Sequence, residues 1–107
     1  MSEIKKMMYD SQGHTGNTYY TLFVVKNTGE TFDWVADALA ANPTRPNSAV
    51  LLGEVGTSGK FPIVVPTNLP RGKIYDVVIC KQAGATAAEA DVVEATFSMP
   101  YGGAFGF

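Results

Sequence analysis

Apolar and polar residues alternate most cleanly over 73–81, KIYDVVICK, which places Tyr75, Val77 and Ile79 on one side and Asp76, Val78 and Cys80 on the other. A period of two marks a strand, because successive side chains leave the backbone in opposite directions. The same period recurs over 60–65, with Phe61, Ile63 and Val65 inward. It recurs again over 92–98, with Val93, Ala95 and Phe97 inward and Glu94, Thr96 and Ser98 outward. Pro62 has no N–H to give to a ladder, which confines its run to a sheet edge or a bulge. Glycine and proline mark the connections EVGTSG, PTNLPRG and QAGATAAEAD as turns.

The first half is patterned differently. TYYTLFVVK, 18–26, is rich in aromatic and β-branched residues and is apolar on both faces, which predicts a strand covered on both sides, by a second sheet and by a tail or neighbouring subunit. NTGE suits a turn, after which 31–35 returns as the partner strand, with Trp34 as its largest apolar contribution. ADALAAN, 36–42, has the composition of a short helix, ended by Pro43 and Pro46. NPTRPN reads as a rigid loop and SAVLL, 48–52, as a strand. Short alternating strands with regular turns predict an antiparallel, all-β sandwich; no strand–helix–strand alternation is present.

The ends break the pattern. Residues 1–17 combine MSEIKKMMYD, where Ile4, Met7 and Met8 recur at helical spacing, with the glycine-bearing SQGHTGN. This predicts an N-terminal arm outside the core. Residues 18–98 form the β-sandwich domain. Residues 99–107, MPYGGAFGF, read as a glycine-jointed tail with aromatic anchors. Burying one large apolar side chain is worth about 1.5–3 kcal/mol. Ile4, Met7, Met8, Tyr9, Tyr101, Phe105 and Phe107 are therefore the candidate protein-interaction residues.

Composition narrows the function classes. The 107 residues suit one domain. Charged residues are 17%, against a usual share of about a quarter, which suggests surface covered by another protein. The net charge of -2, with scattered Lys and Arg, gives no basic stripe for nucleic acid and no attraction to an anionic membrane. No apolar run is long enough to span a bilayer, and no secretory leader is evident; the expected product is soluble and made in a cytoplasm.

The single histidine, His14, sits in a loose glycine-bearing segment, and the single cysteine, Cys80, sits mid-strand. One of each cannot build a closed Cys/His zinc site. Asp33, Asp37 and Asp91 lack the spacing of a calcium loop. These patterns predict a non-enzymatic protein without metal or cofactor.

Three stretches together resemble a recurrent type of small phage virion protein: YYTLFVVKNTGETFDW, LLGEVGTSGKF and LPRGKIYDVVICKQAGATAAEADVVEATFS. They span most of 19–98. The chain departs from that pattern at GKFP, where the type carries tyrosines, and in its proline-rich NPTRPN. The resemblance implies an immunoglobulin-like β-sandwich with extended N- and C-terminal arms. It further implies a structural role, most simply a capsid decoration or cement subunit bound between major capsid proteins in the virion. Homo-oligomerisation is expected, a trimer being one closed form. A neck, tail or baseplate component is the alternative within that class, and a receptor- or carbohydrate-binding module using Trp34 is the alternative outside it.

Overall fold

A computed structural model describes residues 8–11 and 16–102, and Met8 through its backbone alone. The described residues are all-β and antiparallel, with one short helix among them. The strands are β1 (Met8–Asp10), β2 (Thr18–Val25), β3 (Thr31–Asp33), β4 (Ala38–Ala40), β5 (Val50–Leu51), β6 (Lys60–Pro62), β7 (Lys73–Gln82) and β8 (Val92–Tyr101); α1 is Arg45–Ser48.

β2 and β7 form the spine, paired from Thr18↔Gln82 to Val25↔Tyr75. On its other edge β2 takes β5 at Tyr20 and Thr21 and β3 at Val24. The six-stranded sheet runs β4-β3-β2-β7-β8, with β5 beside β2. A second, two-stranded sheet pairs β1 with β6. Pro62 thus lies in a short strand with a single described partner, in keeping with its missing N–H.

The larger core lies on the side of β2 that carries Tyr19, Phe23 and Val25. There Tyr75, Val77, Ile79, Met99 and Tyr101 meet Phe61, Ile63 and Leu69. Tyr19 joins the two sheets, with its ring 4.7 Å from that of Phe61 and 5.0 Å from that of Tyr9, both edge-on. Edge-to-face packing suits the ring quadrupoles. The opposite side of β2 carries a smaller cluster of Tyr20, Leu22, Ala49, Cys80 and Ala87. β2 is thus covered on both sides, but its second side meets the 83–91 loop and the end of α1 of the same chain where a tail or neighbouring subunit was expected.

Several sequence expectations are corrected. Residues 38–40 form β4 rather than a helix. The Asp33 carboxylate accepts from the N–H groups of Val35 and Ala36, and Asp37 sits at φ 59, so the chain reverses and pairs back on β3. Helix propensity is a weak prior that such a turn overrides. The end of NPTRPN together with Ser48 closes one helical turn, Arg45–Ser48. Val93, expected inward, is 55% exposed. β8 has an irregularity in its pairing between Ile79↔Ala95 and Cys80↔Val93, which leaves Glu94 without an opposite residue on β7 and shifts Val93 to the Cys80 side.

The boundaries of the ends also differ from expectation. β1 draws Met8–Asp10 into the fold, and Ser11 donates from its hydroxyl and its N–H to the Gly59 carbonyl. β8 runs on through Met99 to Tyr101, and Tyr101 is buried beneath the Arg71 guanidinium, 5.0 Å above its ring. Gly102 has φ 81, and a Cβ there would lie 2.5 Å from the Arg71 Cβ, so only glycine closes this turn without displacement.

Because Phe61 carries the contact between the sheets, Phe61→Ala should lower the unfolding free energy by about 3–5 kcal/mol. A shift in the urea midpoint measures this. A loss below about 1 kcal/mol would show that the β1–β6 ribbon is not held through this ring.

Candidate functional site

The surface most unlike an ordinary solvated face is built around Trp34. Its position follows from the turn after β3, because Asp33 fastens the next residues and leaves Trp34 as the first of the loop. The Trp34 N–H donates to the Asn47 carbonyl and its indole Nε1–H to the Pro46 carbonyl, both at 2.9 Å. These bonds pin the ring to α1 while leaving the residue 52% exposed. Trp34, the largest apolar residue expected in the 31–35 run, is thus a fixed surface aromatic.

β5 follows directly from α1 and presents Leu51, 61% exposed, beside Trp34. Two grooves share Trp34, Ala49 and Leu51. One, about 340 Å³, is completed by Val50 and Pro66. The other, about 210 Å³, is completed by Pro46, Gln82 and Ala85–Ala87. The first is lined wholly by apolar residues and proline.

The 83–91 loop that walls the second groove is held by a buried polar network. The Tyr20 hydroxyl donates to Asp91 Oδ2 at 2.8 Å and accepts from the Arg45 guanidinium at 3.1 Å. Asp91 also accepts from the N–H groups of Ala83 and Ala88, and Arg45 reaches the Ala88 carbonyl at 3.3 Å. Burial raises the Tyr20 pKa well above the usual phenol value, which keeps the hydroxyl a donor. The Ala88 N–H and then the Tyr20 hydroxyl hold the Asp91 carboxyl below its ordinary range, outweighing the opposing effect of burial. Arg45 projects from α1 and Asp91 lies at the foot of β8, so one network braces both sides of the Trp34 surface.

The residues singled out in the sequence are distributed otherwise. Ile4, Met7, Phe105, Phe107 and His14 lie outside the described residues. Met8 pairs with Pro62. Tyr9 is half-buried against Tyr19 and Phe61. Tyr101, expected as an anchor in the tail, is 2% exposed and belongs to the core. Cys80 is fully buried, and burial pushes its thiol pKa up. Among the described residues, no three His, Cys, Asp or Glu side chains are grouped to hold a metal. No helix among them is long and apolar enough to cross a membrane. The chain matches no family profile, no curated protein sequence and no solved structure.

Leu51, Ala49 and Pro66 were not singled out from the sequence as site residues. Their signal is faint: an Asp-Trp pair ending a strand, followed by a proline-rich turn and a very short apolar run.

A carboxyl with a depressed folded-state pKa contributes stability that is present above its unfolded value of about 3.9 and lost as pH falls through the folded value. The stability gap between wild type and Asp91→Asn should therefore hold steady from pH 7 to about 5 and close progressively below about 4. Urea titrations at each pH measure it. A gap that persists undiminished at pH 2 would remove Asp91 ionisation from the network.

Proposed function

We propose that this chain is a phage virion structural protein, a decoration or cement subunit that binds between major capsid proteins. The observation that carries a protein-binding role is the fixed, half-exposed Trp34 flanked by Leu51 and two grooves. Trp is enriched where protein interfaces concentrate their binding energy, and an exposed apolar surface rimmed by polar groups is a common sign of an interaction site. The virion assignment rests on the resemblance of 19–98 to small phage particle proteins. The immunoglobulin-like reading of the sandwich draws on the same resemblance and on two antiparallel sheets meeting across Tyr19 and Phe61.

A non-enzymatic role is supported by how the polar side chains are used. Cys80 is sealed, while Tyr20, Arg45 and Asp91 are committed to one another and to the backbone of the 83–91 loop. Exposure of Trp34 also favours a carbohydrate-binding reading, since an indole face can stack on a sugar ring. Recognition of sugar hydroxyls needs placed polar groups, and the larger groove offers none from its side chains. A protein partner fits this lining better. A neck, tail or baseplate location would use the same surface at lower copy number.

Quantitative mass spectrometry of purified particles should find this chain at a copy number comparable to the major capsid protein. Leu51→Ser should lower particle occupancy by about tenfold while shifting stability by no more than roughly 0.5 kcal/mol, as expected at an exposed position. A handful of copies per particle would move the protein to the neck or tail. Absence from particles would end the virion reading.

A further inference from the structure

The grooves beside Trp34 are largely apolar and exposed, and the chain itself carries a segment of matching chemistry. Beyond Gly102 lie five residues, 103–107, GAFGF, outside the described part. Laid extended, residues two apart project to the same side about 7 Å apart, so Phe105 and Phe107 present two rings in a row. The surface they would meet is likewise double: two grooves that share Trp34, Ala49 and Leu51 in their linings.

This segment cannot reach the grooves of its own chain. Tyr101 pairs with Lys73, while Leu51 lies level with Tyr20 and Cys80, seven residues farther along β7. That separation is about 23 Å along the strands, and the three strand spacings from β8 across β7 and β2 to β5 add about 14 Å sideways. The direct path is roughly 27 Å, whereas five extended residues span at most about 18 Å. The fold fixes the residues just before the segment, because the Gly72 N–H donates to the Tyr101 carbonyl and Gly102 packs on Arg71, at the end of the sheet far from Leu51.

We propose that residues 103–107 of one copy dock in the Trp34–Leu51 grooves of another, with Phe105 and Phe107 as the inserted side chains. Donor and acceptor surfaces are different, so the contact is head-to-tail: it closes into a ring if the rotation allows and otherwise extends as a chain. Each contact is small, and arrays gain strength from many weak links. The proposal rests on reading the Trp34 surface as a protein contact, but it does not require a place in a virion.

The single tryptophan makes the test direct. The wild-type chain should self-associate with rising concentration in light scattering, with Trp34 emission moving to shorter wavelength. Deleting 103–107 should leave a monomer that retains the groove; Leu51→Asp should leave a monomer that retains the tail. Mixed together, these two variants should form a one-to-one complex. The synthetic peptide PYGGAFGF should shift Trp34 emission of the tail-deleted chain saturably, and replacing both phenylalanines by serine should weaken it by at least about tenfold.

The proposal is overturned if the tail-deleted chain associates as wild type does, if the two variants do not complement, or if the serine peptide binds equally well. It is also overturned if wild type stays monomeric and the peptide leaves Trp34 emission unchanged. Self-association of this kind without incorporation into particles would uphold the contact and reject the virion reading.

Discussion

The eight-residue pairing of β2 with β7 is the constraint on which the rest of the structure depends. Its ladder fixes register, and in a strand register decides which face every side chain occupies. With Tyr20 opposite Cys80 and Phe23 opposite Val77, the aromatic set of β2 is divided between two clusters. A slip by one residue would turn Tyr19 and Phe23 away from Phe61 and bring Tyr20 with its hydroxyl into the large apolar core. The burial of Tyr20, Phe23, Tyr75 and Val77 on both sides of this ladder makes the arrangement costly to exchange for another.

That division also connects core to surface. Tyr20 faces the smaller cluster, where its hydroxyl would keep only a long contact to the Ala88 carbonyl, at 3.4 Å, if Asp91 and Arg45 were absent. A buried hydroxyl without a hydrogen bond costs about 1–3 kcal/mol, so the position of Tyr20 dictates that Asp91 and Arg45 be supplied from the 83–91 loop and from α1. Those same elements flank the Trp34 surface. The polar network is therefore a means of holding two otherwise weakly packed segments in fixed relation. Grooves formed between rigid walls lose less entropy on binding than grooves that must first be ordered.

Much of the framework was legible in the sequence because a period of two is a local property. β7 was visible from KIYDVVICK, and the two-sided burial of β2 from its doubly apolar composition. The apolar grooves were not, since nothing in the order of residues says that Ala49, Leu51 and Pro66 converge on Trp34. The exposure of Trp34 ran against its hydrophobicity. It follows from a turn in which the Asp33 side chain sets the backbone path, and from backbone carbonyls of α1 that satisfy the indole and main-chain N–H groups at the surface. Tyr101 failed in the other direction: its glycine-rich surroundings suggested a loose tail, yet strand pairing with Lys73 and the Arg71 side chain seal it.

The sequence by itself determined an all-β antiparallel domain, with its principal strands and the turns between them, because alternation, β-branching and glycine placement act over a few residues. Only the tertiary structure decided that Tyr9 and Tyr101 pack with the strands and which of the described apolar residues remain in water. Those outcomes depend on contacts between residues far apart in the chain, such as Tyr9 with Tyr19 and Phe61, Tyr20 with Asp91, and Trp34 with the carbonyl of Pro46. They also depend on an irregularity in one ladder that moves Val93 to the other side of the sheet. Such effects arise when strands meet, and they are set by shape and by the need to pair every buried polar group.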